Sequence, residues 1–258
     1  MTSLSPASPR PFVALSDFRF RLWPIVLAAL LMEGLLELGR IPARALYRAG
    51  ESLWVDHVSV FLLLAIAFQA LLGLIAVLVM RRLLPAADAH LRWPPGRSYA
   101  GVALLLGVGM GLVMLFADYW PALAAQTAPD MSYSQSPLDS AGYLLGMITT
   151  GLAEETIFRG LLVGMLVVLV PGRLRIGSLD LPVAAYIVAL LFGLAHWQSF
   201  TVDPFYQAMA QQVYAFAWGL LYVWLMERSR SLLAPIVAHG VGNFTEVGIV
   251  IALNALWA

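Results

Sequence analysis

From Val58 to Met80 the chain carries no charged side chain. A helix needs about 20 mostly apolar residues to cross the hydrocarbon core of a bilayer. In lipid the backbone must satisfy its own hydrogen bonds, which leaves only helices and closed barrels as spanning structures. Further apolar stretches occupy about Leu22–Leu38, Tyr99–Ala117, Ala141–Val170, Leu181–Phe200, Phe205–Met226 and Leu232–Trp257. These lengths predict an all-α, polytopic transmembrane helix bundle of about seven or eight spans. Composition agrees: 61% of the 258 residues are hydrophobic and 12% are charged, whereas soluble domains carry about 25% charged residues.

The segment from Met1 to Asp17 is rich in Pro and Ser and lacks the basic-then-apolar order of a signal peptide. Residues 1–19 are expected to be a disordered tail, and residues 20–258 a single transmembrane domain. The stretch Asp118–Ser140, with Pro121, Pro129 and Pro137, is expected to be a polar connection that breaks the helix before it. The formal net charge is zero, so nothing points to a nucleic-acid partner. The absence of cysteine excludes disulfides, thiolate metal sites and thiol nucleophiles.

All basic residues are arginine. Arg10, Arg19, Arg21, Arg81, Arg82, Arg92, Arg97, Arg173, Arg175, Arg228 and Arg230 fall on the side of the N-terminal tail, against Arg40, Arg44 and Arg48 on the other. The positive-inside rule makes the arginine-rich side cytoplasmic, in an integral multi-pass protein of a bacterial-type cytoplasmic membrane.

Charges inside the spans are few. Glu33, Glu37 and Arg40 lie at helical spacing and are expected to neutralise one another or line a polar interior. The stretch Gly151–Gly164 holds Glu154, Glu155 and Arg159 in otherwise apolar sequence. Glu155 and Arg159 stand four apart, Glu first, the favourable order for an ion pair on a helix. Glu154 points about 100° away and needs other partners. Intramembrane ionisable groups face the bundle and mark functional sites by default. Two of the four histidines also lie in spans: His196, after Phe192, and His239, four residues before Asn243, with Glu246 extending that face. His57 and His90 sit in loops and are expected to have no role.

A His-Glu-x-x-His helix and a Gly-x-Ser-x-Gly elbow are both absent. Carboxylate, imidazole and amide remain, a set suited to activating a water and stabilising an oxyanion. The rivals are a non-catalytic or proton-coupled transport or binding protein using the buried Glu and His, and haem or quinone binding through His196 and His239.

Glu-Glu-x-x-x-Arg at Glu154–Arg159, Phe-x-x-x-His at Phe192–His196 and His-x-x-x-Asn at His239–Asn243 follow one another on successive apolar segments. This order resembles the CPBP group of intramembrane proteases, the type II CAAX prenyl endopeptidases and their bacteriocin-processing and self-immunity relatives. The likeness covers about residues 141–245. It implies that Glu154 and His196 activate the attacking water and that His239 and Asn243 form the oxyanion hole. Glu155, Arg159 and Phe192 would support them. It also implies a membrane-anchored or lipid-modified polypeptide as substrate. No cofactor is expected; if a metal took part it would be zinc on Glu154, His196 and His239.

Two expectations concern geometry. Ideal helices would leave His239 some 12 Å from the level of Glu154 and His196, so tilt, or a break at Gly240 or Gly242, is needed to align them. A shared function also requires all four polar side chains to meet in one cavity, because neither water nor an oxyanion persists against lipid.

Overall fold

The computed structural model describes residues 12–50, 57–131 and 136–257. The helices are α1 (Leu22–Ala49), α2 (Val58–Leu83), α3 (Ala100–Ala125), α4 (Pro137–Glu155), α5 (Gly164–Leu169), α6 (Val183–Leu194), α7 (Ser199–Val202), α8 (Phe205–Ser229) and α9 (Leu233–Trp257). Between α4 and α5 the chain winds as a π-helix over Thr156–Val163. Among the described residues, five segments are long and apolar enough to cross a membrane: α1, α2, α3, the stretch Val183–Val202, and α9. The fold is an all-α polytopic membrane bundle.

Three short strands, β1 (Val13–Ser16), β2 (Arg173–Ile176) and β3 (Leu179–Pro182), form an antiparallel sheet in that order. Ala14 pairs with Arg175, which pairs in turn with Asp180. The segment expected to be a disordered tail therefore contributes a strand, since Val13–Ser16 finds a partner ladder in the β2–β3 hairpin. Residues 1–11 lie outside the described residues.

Polar ties close both ends of the bundle. At the arginine-rich end, Arg173 donates to both carboxylate oxygens of Glu227 at 2.9 and 3.1 Å and to Asp180 Oδ1 at 2.9 Å, clamping the hairpin to the end of α8. Arg92 donates to the Arg230 carbonyl at 3.0 Å. At the opposite end the buried Asp139 accepts from Ser59 Oγ at 2.7 Å and lies 3.1 Å from His57 Nδ1. His57, expected to be an idle loop residue, thus helps tie the start of α2 to the start of α4. Asn254 near the end of α9 donates to the Pro129 carbonyl at 2.9 Å.

Three helix boundaries differ from expectation. α3 continues through Pro121 to Ala125; a proline removes one backbone hydrogen bond, and the helix tolerates that loss so near its end. α4 starts at Pro137, capped by Ser136 Oγ accepting from the Asp139 amide at 3.2 Å. The segment expected as one span over Leu181–Phe200 begins at Val183, after β3, and is interrupted by a turn between α6 and α7, while Val183–Val202 as a whole remains long and apolar enough to cross. In α1, Arg40 pairs with Glu37, while Glu33 is exposed on the outer face rather than neutralised within the triplet.

The core gathers around the π-helical stretch, where Ile157, Phe158, Leu162 and Leu166 are buried against Val188, Tyr222 and Leu225. The largest fully buried side chain is a charged one, Arg159. α3 and α9 also pack backbone to backbone: a Cβ on Gly111 would stand 2.6 Å from Thr245 Cβ, and one on Gly107 2.7 Å from the Ala238 carbonyl.

Candidate active site

α4 and α9 cross where glycine faces glycine. A Cβ on Gly151 would lie 2.8 Å from the Ile236 carbonyl and 3.2 Å from the Gly240 amide, and a Cβ on Gly240 would press into the Ile148 carbonyl. Only side chains without a Cβ permit this contact, and it sets the carboxylates that follow Gly151 beside His239. His239 Nδ1 lies 2.8 Å from Glu155 Oε1, and its Nε2 lies 3.8 Å from Glu154 Oε2. The offset of some 12 Å expected from ideal helices is therefore not present. α9 is unbroken, so Gly240 acts by close approach and not by interrupting the helix. The π coil, which holds more residues per turn, advances less per residue and shortens the path from Glu155 to the arginine-rich end.

Glu155 and Arg159 are fully buried, and Arg159 Nη1 donates to Glu155 Oε1 at 2.9 Å. The guanidinium carbon sits 4.5 Å from the centre of the Phe192 ring and 4.8 Å from that of Tyr222, so aromatic faces replace water around the charge. An ionised carboxylate only accepts, so His239 Nδ1 must be the protonated partner of Glu155. The imidazole stacks on Tyr222, 5.1 Å between ring centres and 11° between planes.

His196 lies in the turn between α6 and α7, within the candidate span Val183–Val202. Its Nδ1 is 2.8 Å from the Phe192 carbonyl oxygen. A carbonyl cannot donate, so Nδ1 carries the hydrogen and Nε2 faces away from this bond. The Phe192 ring is buried and meets His196 edge-on at 5.3 Å, with Phe158 behind it at 4.8 Å.

Glu154, His196, His239 and Asn243 all line one cavity of about 450 Å³. Its remaining wall draws on Arg40 of α1, Phe61 of α2, Met114 of α3 and Met147 of α4. Along α4 the lining runs from Glu154 through Thr150 to Met147, and along α9 from His239 through Asn243 to Glu246, both toward the arginine-poor end, so the cavity runs that way from the carboxylates.

Sequence reasoning did not single out several residues of this wall. Tyr222, the platform for His239, carries no signal beyond being an aromatic in an apolar helix. Trp218 and Tyr214 line the cavity one and two turns earlier on α8. Tyr214 Oη donates to Asp118 Oδ2 at 2.9 Å. Glu246, expected on the His239 face, does line the cavity.

Among the described residues, no three His, Asp or Glu side chains are grouped so as to hold a metal ion. His239 Nδ1 is engaged by Glu155, and His196 does not join Glu154 and His239 in a three-ligand set. The side chains named as zinc ligands, Glu154, His196 and His239, do not fit that ion as arranged.

Fold and cavity together define a multi-pass integral membrane protein whose polar side chains converge inside the bundle. Residues 137–245 match the family model described as type II CAAX prenyl endopeptidase Rce1-like, and over that segment the chain is similar to this family. The matched segment contains all three motifs on which the resemblance was stated. No curated protein and no solved structure matches the chain.

Proposed function

We propose that the protein is an intramembrane endopeptidase that hydrolyses a peptide bond of a lipid-modified or membrane-anchored polypeptide without a metal. The observation supporting it most is the pairing of Glu154 Oε2 with His239 Nε2 at 3.8 Å on the wall of a cavity shared with His196 and Asn243. A gap of that length is wide for a hydrogen bond and leaves the two groups free to engage a water and a carbonyl.

In the proposed mechanism, Glu154 removes a proton from a water that also donates to Nε2 of His196. The oxygen attacks the scissile carbonyl carbon, and the electron pair of its double bond moves to oxygen. His239, held through Nδ1 by Glu155, donates from a protonated Nε2 to this oxyanion, and the Asn243 amide donates beside it. As the tetrahedral intermediate collapses, the C–N bond breaks and Glu154 returns its proton to the departing nitrogen. Glu155 and Arg159 act through His239 by fixing its ring. With a protonated His239, the charges of Glu154, Glu155, Arg159 and His239 sum to zero, which favours burying all four.

By the arginine count the N-terminal end is cytoplasmic, in a bacterial-type cytoplasmic membrane. The test is cleavage of a fluorogenic farnesylated peptide by the purified protein in liposomes, against Glu154→Gln. Turnover by the native protein and none by the variant is expected; equal rates would remove the assignment.

A further inference from the structure

One polar atom on the cavity wall has no counterpart. Trp218 Nε1 is buried, and among the described residues it has no hydrogen-bond partner. An indole N–H can only donate, so it is satisfied by an acceptor and nothing else. Leaving such a donor dry is costly, and this one faces a cavity that can admit an acceptor.

Packing of α8 explains why this group is aimed inward. Gly219 seats α8 against α6, where a Cβ would stand 2.9 Å from Ala189 Cβ. The neighbouring position is thereby turned onto the cavity face, and Trp218 lines the cavity with Tyr214 one turn before it and Tyr222 one turn after. Tyr222 is the residue stacked on His239. One helical turn separates Trp218 from that platform, about 6 Å along the axis. An extended peptide advances about 3.3 Å per residue, so 6 Å corresponds to about two residues of substrate.

Resting on the proposed endopeptidase function, we propose that the Trp218 indole N–H holds a backbone carbonyl of the substrate peptide, about two residues from the scissile bond toward the arginine-poor end. Trp218 is then a substrate-positioning residue. It touches no reacting atom, and it sets the register in which the chain lies across Glu154 and His239. A backbone carbonyl fits better than a side chain because it recurs at every residue and needs no particular sequence.

Trp218→Phe keeps an aromatic ring and removes the donor. With the farnesylated fluorogenic peptide, KM is expected to rise about three- to tenfold, the range for loss of one neutral hydrogen bond, while kcat stays within twofold. The same peptide without its quencher, titrated by fluorescence anisotropy, gives Kd for Glu154→Gln and for Glu154→Gln/Trp218→Phe; the second should bind more weakly by the same factor. The melting temperature of Trp218→Phe without peptide is expected to be unchanged or higher, because a dry donor has been removed. A purely structural tryptophan would give the reverse: a lower melting temperature with KM and Kd unchanged, and that result overturns the inference. If the native protein cleaves the peptide and the variant matches it in KM and Kd, the inference alone fails. If the native protein neither binds nor cleaves it, the proposed function fails and the inference with it.

Discussion

Glu155 and His239 stand 84 positions apart in the chain and 2.8 Å apart in space, Nδ1 to Oε1. The same carboxylate oxygen takes the Arg159 guanidinium at 2.9 Å. One buried atom thus joins a charge within the π-helical stretch to the imidazole of the last helix.

Glu155→Ala removes that atom and strands both partners. Breaking a buried ion pair from one side costs about 3–5 kcal/mol, so the variant should melt at a clearly lower temperature in detergent and lose activity. Glu154→Ala should abolish cleavage with little change in melting, because Glu154 is half-buried and lies outside this pair. Equal destabilisation by the two substitutions would contradict the division of labour between them.

Asn243→Ala tests the oxyanion donor. Loss of one such donor costs about 10²–10³ in kcat, with KM little changed. A variant within threefold of the native kcat would place Asn243 outside the reaction.

Gly240→Ala tests the helix crossing. The added methyl meets the Ile148 carbonyl, so α4 and α9 must separate, and the Glu154–His239 gap should widen. Reduced melting temperature and reduced kcat are expected together. Gly109→Ala is the control, since no atom lies within 4 Å of a Cβ built there; it should behave as native.

Elemental analysis of the purified protein should find well under one equivalent of zinc, and chelation should leave turnover unaltered. Stoichiometric zinc whose removal stops the reaction and whose return restores it would falsify the metal-free mechanism.

The spans and the polar motifs were legible because charge is scarce in this chain. Glu154, Glu155, Arg159, His196 and His239 stand out only because their surroundings are apolar, and the Glu155–Arg159 pair follows from spacing alone. The π coil was not legible: Thr156–Val163 has no residue pattern that separates a wider coil from an α-helix. The levels of the site residues were misjudged because ideal helices were counted from their ends, and Gly240 was treated as a break when it is a contact. The β1–β2 pairing joins Val13–Ser16 to residues far along the chain, which local periodicity cannot reveal. His57 looked idle because its partner, Asp139, lies on another helix. Trp218 was passed over because an aromatic in an apolar helix is ordinary until its N–H is seen to lack an acceptor.

For the proposed cleavage, the direction of the cavity sets a minimum leash on the substrate. From Met147, the cavity residue of α4 nearest the arginine-poor end, to Glu154 the helix climbs about 10 Å. A chain threading that distance in extended form needs about three residues at 3.3 Å each. A folded domain halted at the rim therefore cannot present a bond closer to itself than that, whereas a slack tail or a loosened segment can. Selection would then begin with the length of unstructured chain, before any side chain is read.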